Sequence, residues 1–589
     1  MMRRHLIPCA SLCAFLAAAC SRGARKDLTP TLAADAPAAA AQQAALSDGP
    51  KLTQAEMAEH LLSRLSYGPQ RRDRERLEQL GFAGFIEEQL HPDQIDDSAI
   101  ARRLASYEVL HQGTDTLVQQ LVAERKQRQA DQKREELMKE APPPPADDGP
   151  LTAAESARRL GAPPPSVAPK ELRKPLGKAA RGPGYDYVAQ LSQAKLLRAV
   201  SSGRQLEEEL VDFWFNHFNV FAGKDQESAL LPDYQERVIR PNALASFPEL
   251  LEATAHSPAM LIYLDNWRSA APAPSRPPRR WGRWIQNVQN GEPPKKPRRG
   301  LNENYARELL ELHTLGVDGG YTQADIVEVA RCFTGWTVEQ PQRDPKFVFR
   351  PAMHDFGEKR VLGQVIPAGG GEEDGEQVLR ILAAHPSTAR FVARKLARRF
   401  VSDAPPEALV LKVAQAYAST HGDIRSMLRA IFESPEFWSR KALKAKVRSP
   451  LELVAAAVRG LEATVSDPLS LARAVARIGE PLYASQPPTG YPDLAQTWLS
   501  SGALLARIDF GLQLANGQLE GVKVDLSRLA AEKPEGLLQK AAAELGAAEL
   551  SDQTRASILD QLQKAPPKPA LQAARAVGLL LGAPELQRR

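Results

Sequence analysis

Cysteine is scarce in this chain of 589 residues, which contains Cys9, Cys13, Cys20 and Cys332. The first three lie in or at the end of a leader-like N-terminal segment, so Cys332 is alone in the rest of the chain. This distribution excludes a fold held together by internal disulfides. Cys332 lies among apolar residues in a helical pattern, so we expect a buried, unreactive thiol rather than a nucleophile.

Long apolar runs and the common catalytic motifs are also missing. Beyond the N-terminal segment, no stretch approaches the about 20 apolar residues that cross a bilayer. The chain contains no GxxxxGK(S/T), HExxH, GxSxG or CxxC motif and no usable GxGxxG motif. A net charge of +5 indicates no particular class of partner, and we expect no specific binding of nucleic acid. The sequence therefore leaves open whether the protein is an enzyme.

The N-terminus predicts export. Arg3 and Arg4 precede an apolar stretch from Leu6 to Ala19 that is too short to span a bilayer, which predicts a signal peptide over residues 1–19. The letters AAAC ending at Cys20 resemble a bacterial lipobox, in which Cys20 would be lipidated, and ordinary signal-peptidase cleavage is the alternative. Ser21 follows in place of Asp, which predicts an outer-membrane lipoprotein of a Gram-negative bacterium. Both the general and the twin-arginine export routes remain open.

Composition and periodicity predict a mainly α-helical protein with one large core. Residues 20–50 are rich in Ala, Pro and Gln and predict a flexible tether. Helical patterns fill residues 51–516, interrupted by Pro-rich insertions near 141–184 and 268–300 that we expect to be disordered. FVF and RVLGQVI, between Lys346 and Ile366, predict a small β-hairpin. Residues 517–589 predict further helices that pack on the body.

Three segments concentrate Asn, His, Trp and carboxylates. In the first, Trp214 and His217 share the apolar face of a helix, so His217 is either a hydrogen-bonded core histidine or a metal ligand. In the second, residues 301–336, Glu308 and His313 flank a buried apolar stripe of a helix. A carboxylate such as Glu308 in this position is an acid with a raised pKa, a metal ligand or a member of a structural ion pair. Thr322 and Asp325 resemble a capping box.

The third segment is the pair His354 and Asp355, which is either half of a metal site or a turn whose Asp binds its own backbone. The candidate catalytic residues are thus Glu308, His313, His354 and Asp355. A divalent metal is a possible cofactor, and its candidate ligands are His217, Glu308, His354 and Asp355. We expect these residues, with Asn216 and Asn304, to meet in one pocket walled by Trp214 or Trp336.

A basic segment separates the first two motifs. Residues 268–300 carry nine Lys and Arg residues, one acid and two tryptophans. Basic side chains interleaved with aromatic rings can hold an anionic polymer, although a solvated Pro-rich loop is the plain alternative. The candidate polymer-binding residues are Arg279, Arg280, Trp281, Trp284, Lys295, Lys296, Arg298 and Arg299.

Long phrases of the chain resemble the exported bacterial family catalogued as domain of unknown function 1800. The phrases include FWFNHFNV, GLNENYARELLELHTLGVDGGYTQADIVEVARCFTGW, HDFGEKRVLG, HPSTARFVARKLARRFV and PPTGYPDLAQTW. The resemblance implies export and a mostly α-helical body, and it assigns no catalytic residue. It also implies a joint role with exported proteins similar to sulfatases and alkaline phosphatases.

Two functional hypotheses follow. In the first, the protein is a non-catalytic envelope module, anchored to the membrane by lipid, that binds an acidic polysaccharide beside an exported sulfatase- or phosphatase-like partner. In the second, it is a metal-assisted hydrolase acting on an envelope or extracellular polymer.

Overall fold

A computed structural model describes residues 51–140, 182–271, 300–529, 533–547, 549–564 and 568–589. The predicted signal peptide and the tether with Cys20 lie outside these residues. So do residues 141–181 and 272–299 of the predicted insertions.

The described chain is mainly α-helical, as the sequence predicts. Its N-terminal half contains α1 (Gln54–Leu65), α2 (Arg71–Leu90), α3 (Ser98–Leu104), α4 (Thr114–Glu140), α5 (Tyr185–Ser201), α6 (Gln205–His217), α7 (Glu227–Asp233), α8 (Phe247–Ala255), α9 (Pro258–Tyr263), α10 (Glu303–Glu308) and α11 (Gln323–Cys332). The C-terminal half contains α12 (Glu372–Ala383), α13 (Pro386–Phe400), α14 (Glu407–Ser419), α15 (Ile424–Phe432), α16 (Pro450–Gly460), α17 (Leu469–Ile478), α18 (Ser501–Ala515), α19 (Pro534–Glu544), α20 (Asp552–Gln563) and α21 (Pro569–Gly582).

Irregular helical turns connect several of these helices. Two are π-helical, Tyr234–Ile239 after α7 and Leu309–Thr314 after α10, and the first continues into the single turn Arg240–Asn242. The short 3-10 turns are Pro92–Gln94, Glu108–Leu110, Asn266–Arg268, Pro351–Met353, Ala495–Trp498 and Ser527–Leu529.

Local sequence explains where many helices begin. Capping boxes, in which a Ser or Thr and an acid three residues later bond each other's backbone, start α1, α8, α11 and α16. The box predicted at Thr322 and Asp325 is confirmed. Proline occupies the first or second position of α8, α9, α13 and α16, where its missing N–H costs no helical hydrogen bond.

The strands form three antiparallel pairs rather than the one predicted hairpin. β1 (Trp336–Glu339) pairs with β2 (Lys346–Phe349), β3 (Lys359–Val361) with β4 (Gln364–Ile366), and β5 (Thr464–Val465) with β6 (Val522–Lys523). FVF therefore pairs with the segment before it, which corrects the predicted partner. RVLGQVI forms its own hairpin because Leu362 and Gly363 both have positive φ, as a two-residue type I′ turn requires.

One hydrophobic core joins the two halves. A continuous cluster of buried apolar side chains extends from Leu61 in α1 to Leu586 after α21. Cys332 is fully buried in this cluster, which confirms the expected burial of its thiol, and burial raises the pKa of this thiol to about 12. Within the described part of the chain, no helix combines the length and the apolar character needed to cross a membrane.

Candidate functional site

The last turn of α6 carries the first predicted motif. Leu206, Leu210 and Trp214 are fully buried on one face of this helix. The indole Nε1 of Trp214 donates a hydrogen bond to the carbonyl of Ala243 at 3.0 Å, which fixes the turn against the core. His217 is the last residue of the helix and is buried on the same face, as the sequence predicts.

Both ring nitrogens of His217 are hydrogen-bonded. Nε2 lies 3.1 Å from the carbonyl oxygen of His313, and Nδ1 lies 2.9 Å from Nζ of Lys395. Because a carbonyl only accepts, Nε2 carries the proton and Nδ1 accepts from the lysine. Burial, aided by the charge of Lys395, lowers the pKa of His217 well below its usual value and keeps the ring neutral. This arrangement leaves no free lone pair for a metal ion.

The carbonyl that meets His217 belongs to the π-helical turn Leu309–Thr314. The wider turn is closed by a hydrogen bond from the N–H of Leu315 to the carbonyl of Leu310. The hydroxyl of Thr314 donates to the carbonyl of Leu309 at 2.6 Å. Such turns occur frequently at functional sites. Here the turn itself makes the close contact with α6, through the backbone carbonyl of His313.

Lys395, in the middle of α13, is the second partner of His217. Its Nζ lies 5.5 Å from the ring centroid of Phe391, and burial lowers its pKa to about 8. Arg398, one turn later, donates from Nε to the backbone carbonyl of Asp403 at 3.1 Å. Among the described residues, no carboxylate oxygen lies within 4.0 Å of the charged nitrogens of Lys395 or Arg398.

These groups open onto a cavity of about 180 Å³. It is lined by α6, by α13 and by the segment from Glu480 to Trp498. The lining residues that bear on its chemistry are Lys195, Asp212, Asn216, His217, Lys395, Arg398, Arg399, Glu480, Tyr491, Asp493 and Trp498.

Two asparagines of the first motif hold the segment 480–498 in place. The side chain of Asn216 donates from Nδ2 to the carbonyl of Tyr491 at 2.8 Å, and its Oδ1 accepts the N–H of the same residue at 2.7 Å. Nδ2 of Asn219 donates to the carbonyls of Ser485 and Pro487 at 3.0 and 2.9 Å. The motif therefore joins two parts of the chain that lie far apart in sequence.

Most charges around the cavity are paired. The pairs are Lys195 with Asp212 at 2.6 Å, Arg399 with Glu209 at 2.6 Å and with Glu452 at 2.9 Å, Arg589 with Glu452 at 2.8 Å, and Lys446 with Asp493 at 2.8 Å. Glu480 is buried and accepts the N–H of Leu451 at 2.8 Å. Burial and the nearby charge of Asp212 raise its pKa to about 8, so the carboxyl is mostly neutral at pH 7.

An aromatic wall closes one side of the cavity. Tyr491 and Trp498 pack with ring centroids 5.8 Å apart at an interplanar angle of 50°. The hydroxyl of Tyr491 donates to the carbonyl of Pro481 at 2.9 Å, which fixes the ring. The predicted walls, Trp214 and Trp336, do not line this cavity and are fully buried in the core.

The second motif contributes its backbone but not its predicted side chains. Glu308 is partly buried, and burial and Glu311 raise its pKa, yet it does not line the cavity. The ring of His313 packs against Phe218 at 5.0 Å, and burial lowers its pKa to about 3. The amide of Asn304 points elsewhere, with Nδ2 3.4 Å from the carbonyl of Leu264.

The third motif forms a separate buried network. In His354, Nδ1 lies 2.7 Å from the carbonyl of Thr334 and Nε2 lies 3.1 Å from a carboxylate oxygen of Asp374, which also contacts Lys359. Both ring nitrogens are thus engaged. Asp355 pairs with Arg331 at 2.8 Å.

Asp355 lies in a turn in which its side chain binds the local backbone, which is one of the two alternatives that the sequence predicts. Its Oδ1 accepts the N–H of Gly357 at 2.9 Å, so the side chain binds its own backbone.

The expectation of one shared pocket is therefore wrong. Of the residues expected to meet, Asn216 and His217 line the cavity, whereas Asn304, Glu308, His313, His354 and Asp355 do not. Burial of His354 and Asp355 is compensated locally by Asp374 and Arg331 instead of by a shared ligand. Among the described residues, the histidine and acids close enough to share a metal ion are a different set, His256, Glu372 and Glu376.

No sequence motif singled out Lys395, Glu480, Tyr491 or Trp498 as site residues. Lys395 lies within HPSTARFVARKLARRFV, and Tyr491 and Trp498 lie within PPTGYPDLAQTW, two phrases on which the family resemblance rests. The lipidation residue Cys20 and the polymer-binding residues between Arg279 and Arg299 lie outside the described residues.

Comparison with known proteins identifies a family. A family model described as protein of unknown function (DUF1800) matches residues 60–588. No curated protein and no solved structure matches the chain.

Proposed function

The chain belongs to the family of proteins of unknown function DUF1800, whose description names no reaction. We propose that it is a cell-envelope protein that binds an acidic polysaccharide. One carboxylated or sulfated sugar unit of the polymer occupies the cavity between α6, α13 and residues 480–498. The observation that carries the proposal is a pair of cations, Lys395 and Arg398, that line this cavity and have no carboxylate partner among the described residues.

The charge balance of the cavity supports an anionic ligand. Lys195 pairs with Asp212, whereas Lys446 lies between two acids, Asp403 at 2.6 Å and Asp493 at 2.8 Å, and so leaves one negative charge uncompensated. Glu480 contributes little negative charge at pH 7 because its pKa is raised to about 8. The two positive charges of Lys395 and Arg398 exceed this one negative charge. A partly desolvated cation attracts an anion more strongly than one in water.

The aromatic wall supports a sugar in preference to a bare inorganic anion. Aromatic rings offer an apolar face while their polar edges stay hydrated, which suits the apolar face of a sugar ring. Tyr491 and Trp498 supply such a wall beside the two cations. A small concave site with a few fixed polar groups is typical of ligand pockets.

The remaining parts of the proposal concern location. We propose export as a lipoprotein anchored through Cys20, a second contact with the polymer through the basic residues 279–299, and an exported sulfatase- or phosphatase-like protein as the partner. The N-terminal sequence, the interleaved basic and aromatic residues and the family resemblance support these three statements in turn.

The test is calorimetric titration of the purified protein with short oligosaccharides of defined charge. Heparin-derived and oligogalacturonate fragments are compared with uncharged cello-oligosaccharides. Lys395→Met and Arg398→Gln should each weaken binding of an acidic fragment by at least about tenfold, or 1.4 kcal/mol. Lys412→Gln, a substitution on the neighbouring helix α14, removes the same charge and should change the affinity less than about twofold.

Three results would reject the proposal. One is the absence of binding to every acidic fragment. Another is binding that Lys395→Met, Arg398→Gln and Lys412→Gln weaken equally, because that pattern indicates diffuse surface attraction. Binding of the uncharged fragments with equal affinity would also contradict it.

A hydrolase remains the second proposal because two titrating groups line the same cavity. Burial lowers the pKa of Lys395 and raises that of Glu480, each to about 8, and opposed shifts of this kind occur at sites of acid–base catalysis. The metal-assisted form of this proposal finds no support in the placement of His217, Glu308, His354 and Asp355. Release of reducing ends from the acidic fragments, lost in Glu480→Gln, would support hydrolysis, and its absence would leave the binding module.

A further inference from the structure

His256, Glu372 and Glu376 meet on a face of the molecule that the cavity does not include. His256 follows the last residue of α8, and the two glutamates lie in the first two turns of α12. One ligand atom from each of the three side chains lies within 4.8 Å of the others, and all three residues are partly buried. Nothing in the proposed function uses these residues.

The imidazole of His256 is held with one nitrogen free. Nδ1 lies 2.9 Å from the backbone carbonyl of Glu252, and because this oxygen only accepts, Nδ1 carries the proton. The lone pair therefore lies on Nε2. The ring packs against both Trp336 and Phe347, with centroid distances of 4.5 and 4.6 Å. Metal-binding histidines are commonly oriented by such a bond from the second nitrogen to a carbonyl.

Gly375 lets α12 approach the indole ring of Trp336, against which His256 packs. A Cβ at Gly375 would lie 2.6 Å from the indole ring of Trp336, so only glycine permits the observed distance between helix and ring. The approach brings Glu372 and Glu376, which are four residues apart and therefore on one helical face, toward His256. The Nε1 of Trp336 is fully buried against this turn and has no hydrogen-bond partner among the described residues. A carboxylate drawn in by a cation would supply its acceptor.

Among the described residues, the ion-pair partner available to Glu376 is a weak one. Arg380 lies 3.6 Å from Glu376 and 3.8 Å from the neighbouring Glu373, and its side chain is 61% exposed. Exposed pairs of this length contribute little free energy. A divalent cation bound by two carboxylates would displace such a contact.

We propose that His256, Glu372 and Glu376 form a binding site for a divalent transition-metal ion. One neutral imidazole and two carboxylates balance the charge of the ion, and this ligand set suits Zn²⁺, Co²⁺ or Mn²⁺ better than Ca²⁺. Three protein ligands leave a coordination position for water. The site does not depend on the proposed carbohydrate cavity.

The test uses tag-free full-length protein that has been stripped with a chelator and dialysed. Titration with ZnCl₂ should show one equivalent bound, and Co²⁺ should give visible absorption bands of a site with nitrogen and oxygen ligands. Glu376→Gln and His256→Gln should each weaken Zn²⁺ binding by at least about tenfold. Glu373→Gln, which removes the same charge from an exposed position on the same turn, should change it less than about twofold.

Arg380→Gln should change the affinity for Zn²⁺ in the opposite direction. Removing the competing guanidinium should tighten Zn²⁺ binding by a few fold, and this result does not depend on a substitution at His256 that could impair folding. Absence of a stoichiometric Zn²⁺ site, or an equal loss in Glu373→Gln and Glu376→Gln, would overturn the proposal.

Discussion

Glu480 is a buried carboxyl in the wall of the cavity, close to the charge of Asp212. Burial disfavours its charged form, and its pKa of about 8 lies far above that of the same group in an unfolded chain, about 4.5. Between about pH 4.5 and pH 8 the folded state therefore binds more protons at Glu480 than the unfolded state does. The contribution of Glu480 to the free energy of unfolding is therefore highest below about pH 4.5 and falls as the pH rises to about 8.

Glu480→Gln should remove this pH dependence, because glutamine is a neutral isostere of the protonated carboxyl. We expect the variant to gain stability relative to the unchanged protein between pH 5 and pH 8, by up to about 3 kcal/mol. Urea unfolding at both pH values measures the difference. A difference that is constant with pH would show that Glu480 is ionised in the folded protein.

At Gly490, the segment 480–498 lies in close contact with the backbone of α6. Gly490 has a φ of +67°, and a Cβ there would lie 2.3 Å from the carbonyl oxygen of Asn216. Gly517, after α18, has nearly the same φ of +65°, but a Cβ there would meet no neighbouring atom within 4 Å. The two glycines thus separate the cost of backbone strain from the cost of a steric clash.

Gly490→Ala should be more destabilising than Gly517→Ala. The left-handed conformation alone costs an alanine about 1–2 kcal/mol, which is the loss expected at Gly517. At Gly490 the clash with the backbone of α6 adds to this cost, so we expect a further loss of about 1–3 kcal/mol and a weaker affinity for acidic fragments. Thermal unfolding and calorimetry test both; equal losses at the two sites would show that the segment is not held against α6.

At the scale of elements, local sequence predicts much of the structure. Thr322 and Asp325 form the predicted capping box because both partners lie within one helical turn. The pairing of FVF with RVLGQVI is wrong because a two-residue turn at Leu362 and Gly363 closes the second segment on itself.

The cavity could not be predicted in the same way. His217 contacts Lys395 across 178 residues and Asn216 contacts Tyr491 across 275 residues. Helical periodicity shows that His217 faces the core, but it does not specify which distant segment meets it there. The expected place of His354 in a shared pocket is wrong because its buried partner Asp374 lies 20 residues away and carries no motif.

At the scale of the whole molecule, one core supports both the cavity between α6, α13 and residues 480–498 and the proposed metal site. The described helices pack around a single large apolar cluster, and no helix among them can span a membrane. In the proposed function, the protein is attached to the envelope by a lipid on Cys20.

Cys20→Ala should release the protein from the membrane fraction. Acyl chains supply the membrane affinity of a lipoprotein, and the substitution removes their attachment site. Fractionation of cells that express the full chain, with metabolic labelling by a fatty acid, measures both effects. Ser21→Ala is the control and should keep the label. Unchanged membrane association without the label would contradict the lipid anchor.

The most direct test of the proposed function is a crystal structure of the protein with a sulfated monosaccharide such as N-acetylglucosamine 6-sulfate. We expect the sulfate oxygens at about 3 Å from Nζ of Lys395 and from the guanidinium of Arg398. The sugar ring should lie against Trp498. A crystal saturated with the sugar in which it binds only elsewhere, or not at all, would contradict the account.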